Sequence, residues 1–159
     1  MRVISVDPGY DRIGVAIMEL ADGKECLVFS ECIETNKNQP LNERLVFLGD
    51  RFKQLIMEHK PDTLAIETIF FNKNVKTAIG VAEARGILLY IAQTNNCAVH
   101  EFGPQEIKIA VTGYGKSDKG AVLDMVKRLV PDAPDKALDD EYDAIAVGIT
   151  CLAHHGRNT

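Results

Sequence analysis

The spacing of apolar and polar positions divides the chain into a succession of elements. Residues 2–6 and 13–18 are short apolar runs that read as strands, with Asp7-Pro8-Gly9-Tyr10 as the turn between them. Ala21-Asp22-Gly23 marks the next turn, and residues 26–35 a third strand. Three strands with short connections predict an antiparallel meander. Leu41, Leu45, Leu48, Phe52 and Leu55 then recur every three or four residues, the period of an amphipathic helix that ends before Pro61. Residues 63–67 form a fourth strand closing on an acid. Residues 75–94 read as a long helix with Val75, Ile79, Ala82 and Leu89 on its apolar stripe. Residues 98–102 give a fifth strand. Pro104 opens a short helix at a position where proline fits, and Gly113-Tyr114-Gly115 breaks it. Helices over 117–130 and 138–153 complete the set.

Strands in a row, followed by alternating helices and strands, predict an α/β architecture: a mixed sheet with helices on both faces. No repeat, linker or low-complexity stretch interrupts the pattern, and 159 residues fit one domain over 1–159 with a substantial core. The N-terminal apolar run is too short for a signal peptide, and no stretch approaches the roughly 20 apolar residues that span a bilayer. A membrane role is therefore not expected. Cys26, Cys32, Cys97 and Cys151 show no C-x-x-C spacing, which fits buried thiols in a reducing cytoplasm.

Four acids stand where chemistry collects. Asp7 ends the first strand and Glu67 the fourth; Asp140 and Asp143, three apart at the start of the last helix, share one face. If the first and fourth strands are adjacent and parallel, Asp7 and Glu67 meet at one sheet edge, and the last helix must cross that edge to complete a cluster. Clustered carboxylates repel unless a cation holds them, and hard oxygen ligands suit Mg2+ or Mn2+. Singly, each acid also has a plainer reading, as a solvated turn residue. Part of the run Asp139-Asp140-Glu141 reads as capping at a helix N-terminus. Asp143 is followed by Ala144-Ile145-Ala146-Val147, which places it at the edge of the core.

Asp7-Pro8-Gly9, Glu67-Thr68-Ile69-Phe70 and Asp140-x-x-Asp143-Ala144-Ile145-Ala146 together resemble the RuvC Holliday-junction resolvase family. Asn74 with Thr77-Ala78, Ala84-Arg85-Gly86, residues 108–113 and Lys119 extend the resemblance, in order, over nearly the whole chain. The resemblance implies a ribonuclease H-like fold: a mixed five-stranded sheet in which three antiparallel strands precede the parallel ones. It implies an endonuclease that acts as a homodimer and resolves four-way (Holliday) DNA junctions by paired symmetric nicks during recombination and repair. Asp7, Glu67, Asp140 and Asp143 would be its catalytic, metal-binding carboxylates. They would hold two Mg2+ per subunit, with Mn2+ as a substitute, about 3.5–4 Å apart about the scissile phosphate. The implied products are a 5′-phosphate and a 3′-hydroxyl. A branch-migration helicase complex is the implied protein partner.

Lys108 on the short helix and Lys119 beyond the glycine loop match family positions that meet DNA phosphates and can stabilise charge at phosphorus. Lys116 is a weaker candidate of the same kind. Phe70, in Phe70-Phe71-Asn72-Lys73-Asn74, suits stacking on unpaired bases where a junction opens, with Phe71 assigned to packing. The long helix from residue 75 resembles the family's dimer segment.

The net charge of −5 runs against a nucleic-acid partner. Two divalent cations at the four acids would bring it to about −1. Gly115-Lys116-Ser117 resembles the end of a phosphate loop, but Ala110 stands where that motif needs glycine. Three other function classes compete: a related nuclease acting on RNA or flaps, an actin-like ATPase, and a DNA-binding module without catalysis. The ATPase would need a second lobe that 159 residues do not accommodate, and the presence of all four acids disfavours the inert module.

Overall fold

The computed structural model describes residues 1–69 and 75–156, the side chains at 75 and 76 excepted. Five strands, β1 (Arg2–Asp7), β2 (Arg12–Ala21), β3 (Lys24–Glu34), β4 (Thr63–Glu67) and β5 (Ala98–Phe102), form one sheet in the order β3-β2-β1-β4-β5. The pairs β1·β2 and β2·β3 are antiparallel, and β1·β4 and β4·β5 are parallel. The helices are α1 (Leu41–His59), α2 (Val75–Thr94), α3 (Pro104–Thr112), α4 (Lys119–Leu129) and α5 (Asp139–His155). Elements therefore follow the expected order. The β2–β3 hairpin is longer than the apolar runs suggested, because both strands continue to Asp22 and Gly23. These two residues have φ of 51° and 75°, the backbone of a tight two-residue hairpin turn.

The strand period of two assigns each side chain to a face. Ile4 and Val6 of β1, Ile13, Val15 and Ile17 of β2, and Leu64 and Ile66 of β4 pack with Leu48, Phe52 and Leu55 of α1 and Ala84, Leu88 and Ala92 of α2. Val3, Ala16, Met18 and Ala65 face the other way and pack against α5, with α3 and α4 beside it. By the same alternation Asp7 and Glu67 project on the α5 side.

The middle of α5 is buried: Tyr142 and every residue from 144 to 152 lie in the core. Two glycines let it lie this close to the sheet. A Cβ on Gly148 would stand 2.5 Å from Met18 Sδ and 2.8 Å from Ser5 Oγ, and one on Gly14 only 1.7 Å from the carbonyl oxygen of Asp140. Gly14 is the cross-strand partner of Asp7. The helix N-terminus is thus brought down onto the strand beside Asp7.

Three sequence expectations need correction. The buried stripe of α2 is Gly80, Ala84, Leu88 and Ala92, whereas Ile79 is 61% exposed, Ala82 is exposed and Leu89 is half-buried. The apolar residues of α2 encircle it, so periodicity alone cannot set its phase. At α5 the acids Asp139, Asp140 and Glu141 do fill the first turn, where negative charge suits the helix N-terminus. None of them is the N-cap: that residue is Leu138, with no side-chain hydrogen bond to the helix end, and Glu141 accepts a 2.5 Å hydrogen bond from Ser30. Of the four cysteines, all free, Cys97 and Cys151 are buried but Cys26 and Cys32 are only half-buried. Among the described residues no helix is long and apolar enough to cross a membrane. Phe70, Phe71 and Asn74 lie outside the described residues, as does the side chain of Val75.

Candidate active site

Asp7 and Glu67 follow the paired residues Val6 and Ile66 on adjacent parallel strands, so both acids leave the sheet at one edge. The first turn of α5 lies over that edge. A cleft of about 340 Å3 there is lined by Asp7, Glu67, Asp143, Lys108 and Lys119, with Ile107 and Val122 as apolar walls. Lys108 arrives on α3. Lys119 is the first residue of α4, whose N-cap Asp118 accepts from the Ala121 amide at 2.8 Å. A lysine in the first turn opposes the helix dipole, and the carboxylate of Asp143, 3.3 Å from Lys119 Nζ, answers it from across the cleft. Lys116 is exposed in the α3–α4 connection and does not reach the cleft.

The charges in the cleft are strongly coupled. Burial, then Asp143, Glu67 and Asp140, push the Asp7 carboxyl from its ordinary value up to about 8, with Lys119 pulling against them. Glu67 is raised by burial and by Asp143, against Lys119 and Lys108. Asp143 is raised by burial, although Lys119 favours its ionised form. The Lys119 ammonium is correspondingly held above its usual range, first by Asp143. Such an arrangement stores repulsion that a cation between the carboxylates would relieve.

Asp140 stands on the shoulder of the cleft rather than in its lining. Arg12 Nε lies 2.7 Å from Asp140 Oδ2, yet that buried oxygen receives no hydrogen bond, so the contact is an ion pair without a directed N–H. Among the described residues no three His, Cys, Asp or Glu groups converge as a ready-made metal cage; Arg12 and Lys119 each engage one of the acids. The donors still fit a hard divalent cation. All are carboxylates, the Asp140 oxygen is buried without a donor, and burial together with the neighbouring acids pushes the Asp7 carboxyl up to about 8.

The turn between β1 and β2 is fixed from behind. Thr35 Oγ1 donates to the carbonyls of Tyr10 (2.6 Å) and Asp11 (3.0 Å). Buried Arg44 donates to Thr35 Oγ1 and to the Tyr10 carbonyl, pairs with Asp11 and lies over the Tyr10 ring. Sequence reasoning missed Arg12, Gly14, Thr35 and Arg44. Only the proximity of Arg12 and Gly14 to Asp7 hinted at them, and their partners are distant in sequence.

Residues 3–151 match the family described as crossover junction endodeoxyribonuclease RuvC. The chain belongs to the RuvC family. A RuvC crossover junction endodeoxyribonuclease of Brachyspira hyodysenteriae is 40% identical over 158 residues, covering 99% of this chain and 96% of that one. A Thermus thermophilus RuvC structure superimposes with a TM-score of 0.87 at 26% identity, over 98% of this chain and 97% of that one. A second structure, T. thermophilus RuvC in complex with Holliday junction substrate, gives 0.88 at 24% identity, over 100% of this chain and 98% of that one. The fold is thus the ribonuclease H-like fold of these RuvC structures, with its five-stranded mixed sheet.

Proposed function

We propose that this RuvC-family member is a divalent-metal-dependent endonuclease. In this reading it resolves four-way DNA junctions by paired symmetric nicks during recombination and repair, with Asp7, Glu67, Asp140 and Asp143 as metal ligands. The observation that carries the site assignment is the cleft itself: three of these acids share it with Lys108 and Lys119, and the negative charge of the fourth is felt at Asp7. Mg2+ is the proposed ion, two per subunit, with Mn2+ able to replace it. When bound, the ions supply the Lewis acidity that activates an attacking water and stabilises the departing 3′ oxygen. The chain's own groups do the positioning. Lys108 and Lys119 draw the scissile phosphate into the cleft and balance charge building on its oxygens. The apolar walls Ile107 and Val122 limit bulk water. Lys116 and Phe70 complete the proposed DNA contacts, and the whole of 1–159 acts as one nuclease domain.

The same reading makes the enzyme a cytoplasmic homodimer, because a four-way junction presents two equivalent strands and each subunit can cut one. The exposed stripe of α2 supports this. Ile79, Ala82, Gly86 and Tyr90 recur at helical spacing, Tyr90 is 70% exposed, and the space beside Gly86 is open. Tyr90→Asp is expected to convert a dimer to monomers in sedimentation equilibrium and to abolish paired nicking. A wild-type chain that sediments as a monomer, or a variant that stays dimeric, sinks this interface. A branch-migration helicase is the proposed supplier of junctions.

The substrate assignment is tested with a labelled immobile junction, a linear duplex of the same sequence and an RNA duplex, each with Mg2+. Symmetric nicks in the junction alone, resealable by ligase, are the expected result. Equal cutting of the linear duplex, or cutting of RNA only, would overturn the substrate while leaving the carboxylate site standing.

A further inference from the structure

Arg12 occupies an unusual place. It opens β2 five residues after Asp7, its side chain is 45% exposed, and its Nε faces the one oxygen of Asp140 that is buried without a hydrogen bond. Arginine frequently forks onto a carboxylate with two aligned donors, which fixes both groups in place. Arg51 does so on Glu31, at 2.7 and 2.8 Å. Arg12 makes no such fork. Its backbone is nevertheless well held, because the Thr35–Arg44 network clamps Tyr10 and Asp11 immediately before it. A fixed backbone thus carries a half-exposed, loosely paired head.

We propose that Arg12 is a positioning residue that neutralises Asp140 while no cation is bound, and passes to the DNA backbone when a divalent cation takes that carboxylate. Metal loading and strand binding are thereby coupled. The inference rests on the reading of Asp140 as a metal ligand. Its physical basis is simple: a guanidinium and a divalent cation repel at the few ångströms that separate two partners of one oxygen. The arginine set free is half-exposed at the start of β2, where a phosphate of the bound strand could accept its two parallel donors. Before loading, the same pair quenches one charge of a crowded acid cluster.

The test uses the full chain and Arg12→Gln, both checked for folding by thermal melt. Mn2+ uptake is titrated without DNA. Affinity for an immobile junction is then measured in EDTA and in Ca2+, with gels confirming the junction is uncut. The variant is expected to bind Mn2+ about 5-fold tighter, the effect of removing a part-exposed ion pair of about 1 kcal/mol. It should bind the junction as the wild type does in EDTA. In Ca2+ it should bind about 5-fold more weakly, with a salt slope lower by about 1. Mn2+ uptake that is unchanged by the substitution, or a loss of junction affinity that is equal in EDTA and Ca2+, overturns the coupling alone. A wild-type chain that takes up no Mn2+ overturns the carboxylate reading and this inference together.

Discussion

Asp7→Asn is expected to abolish junction cleavage while making the metal-free protein more resistant to heat. The first effect follows from Asp7's place between Glu67 and Asp143 in the cleft. Groups that act as a unit lose nearly the whole rate when one is removed, here roughly 10^4-fold or more. The second effect separates this prediction from that for an ordinary structural acid. The unfolded carboxyl ionises near 3.8, and the folded one is pushed up to about 8 by burial and by three neighbouring acids. Between those values the unfolded chain holds fewer protons than the folded one, so metal-free stability falls as pH rises through that window. Asparagine carries no such penalty. In EDTA the melting temperature of the variant should match the wild type near pH 4, exceed it increasingly toward pH 8, and then hold its lead. Added Mg2+ should raise the wild type by binding only the folded state and raise the variant far less. Calorimetry across pH, beside single-turnover cleavage, measures both. A variant no more stable than the wild type at pH 8 in EDTA would show that neither burial nor the neighbouring acids burden the Asp7 carboxylate.

What sequence could supply was the part governed by short-range rules. Asp7 and Glu67 were legible because each ends an apolar strand, and alternation with parallel pairing then carries both to one edge and one face. Asp143 was legible because it stands where a polar turn gives way to the buried run of α5. The phase of α2 was not, since its apolar residues surround the helix and only packing against α1 and the sheet selects Gly80, Ala84, Leu88 and Ala92 as the inner face. The support of the site was hidden for a related reason. Arg12 reaches Asp140 across 128 positions, and Arg44 grips a turn more than 30 residues earlier. Neither pairing has a period or spacing to announce it. The lysine at the start of α4 did carry a signal of a kind. Its position conflicts with the helix dipole, and local rules are broken most often where function demands it.

Gly14 is where fold and site depend on the same absent atom. A Cβ there would stand 1.7 Å from the Asp140 carbonyl oxygen, 2.3 Å from its carbon and 2.9 Å from the Glu141 amide nitrogen. All three are backbone atoms, which cannot rotate away as a side chain can. Gly14→Ala must therefore lift the first turn of α5 from β2, and with it Asp140 and Asp143, while Asp7 and Glu67 stay on the sheet. The expected loss of stability is about 3 kcal/mol, as for other overpacked cores, read as a lower urea midpoint. Cleavage per folded molecule should fall further, by about 10^2-fold, the effect of moving a reacting group by about 1 Å. Gly148→Ala supplies the comparison. Its Cβ would meet Met18 Sδ at 2.5 Å and Ser5 Oγ at 2.8 Å, side-chain atoms that can shift, two turns along α5 from the carboxylates. That variant should lose stability yet cleave normally once folded. If the two variants cleave equally well per folded molecule, the close seat of α5 on Gly14 serves packing alone, and the geometry of the carboxylates is set elsewhere.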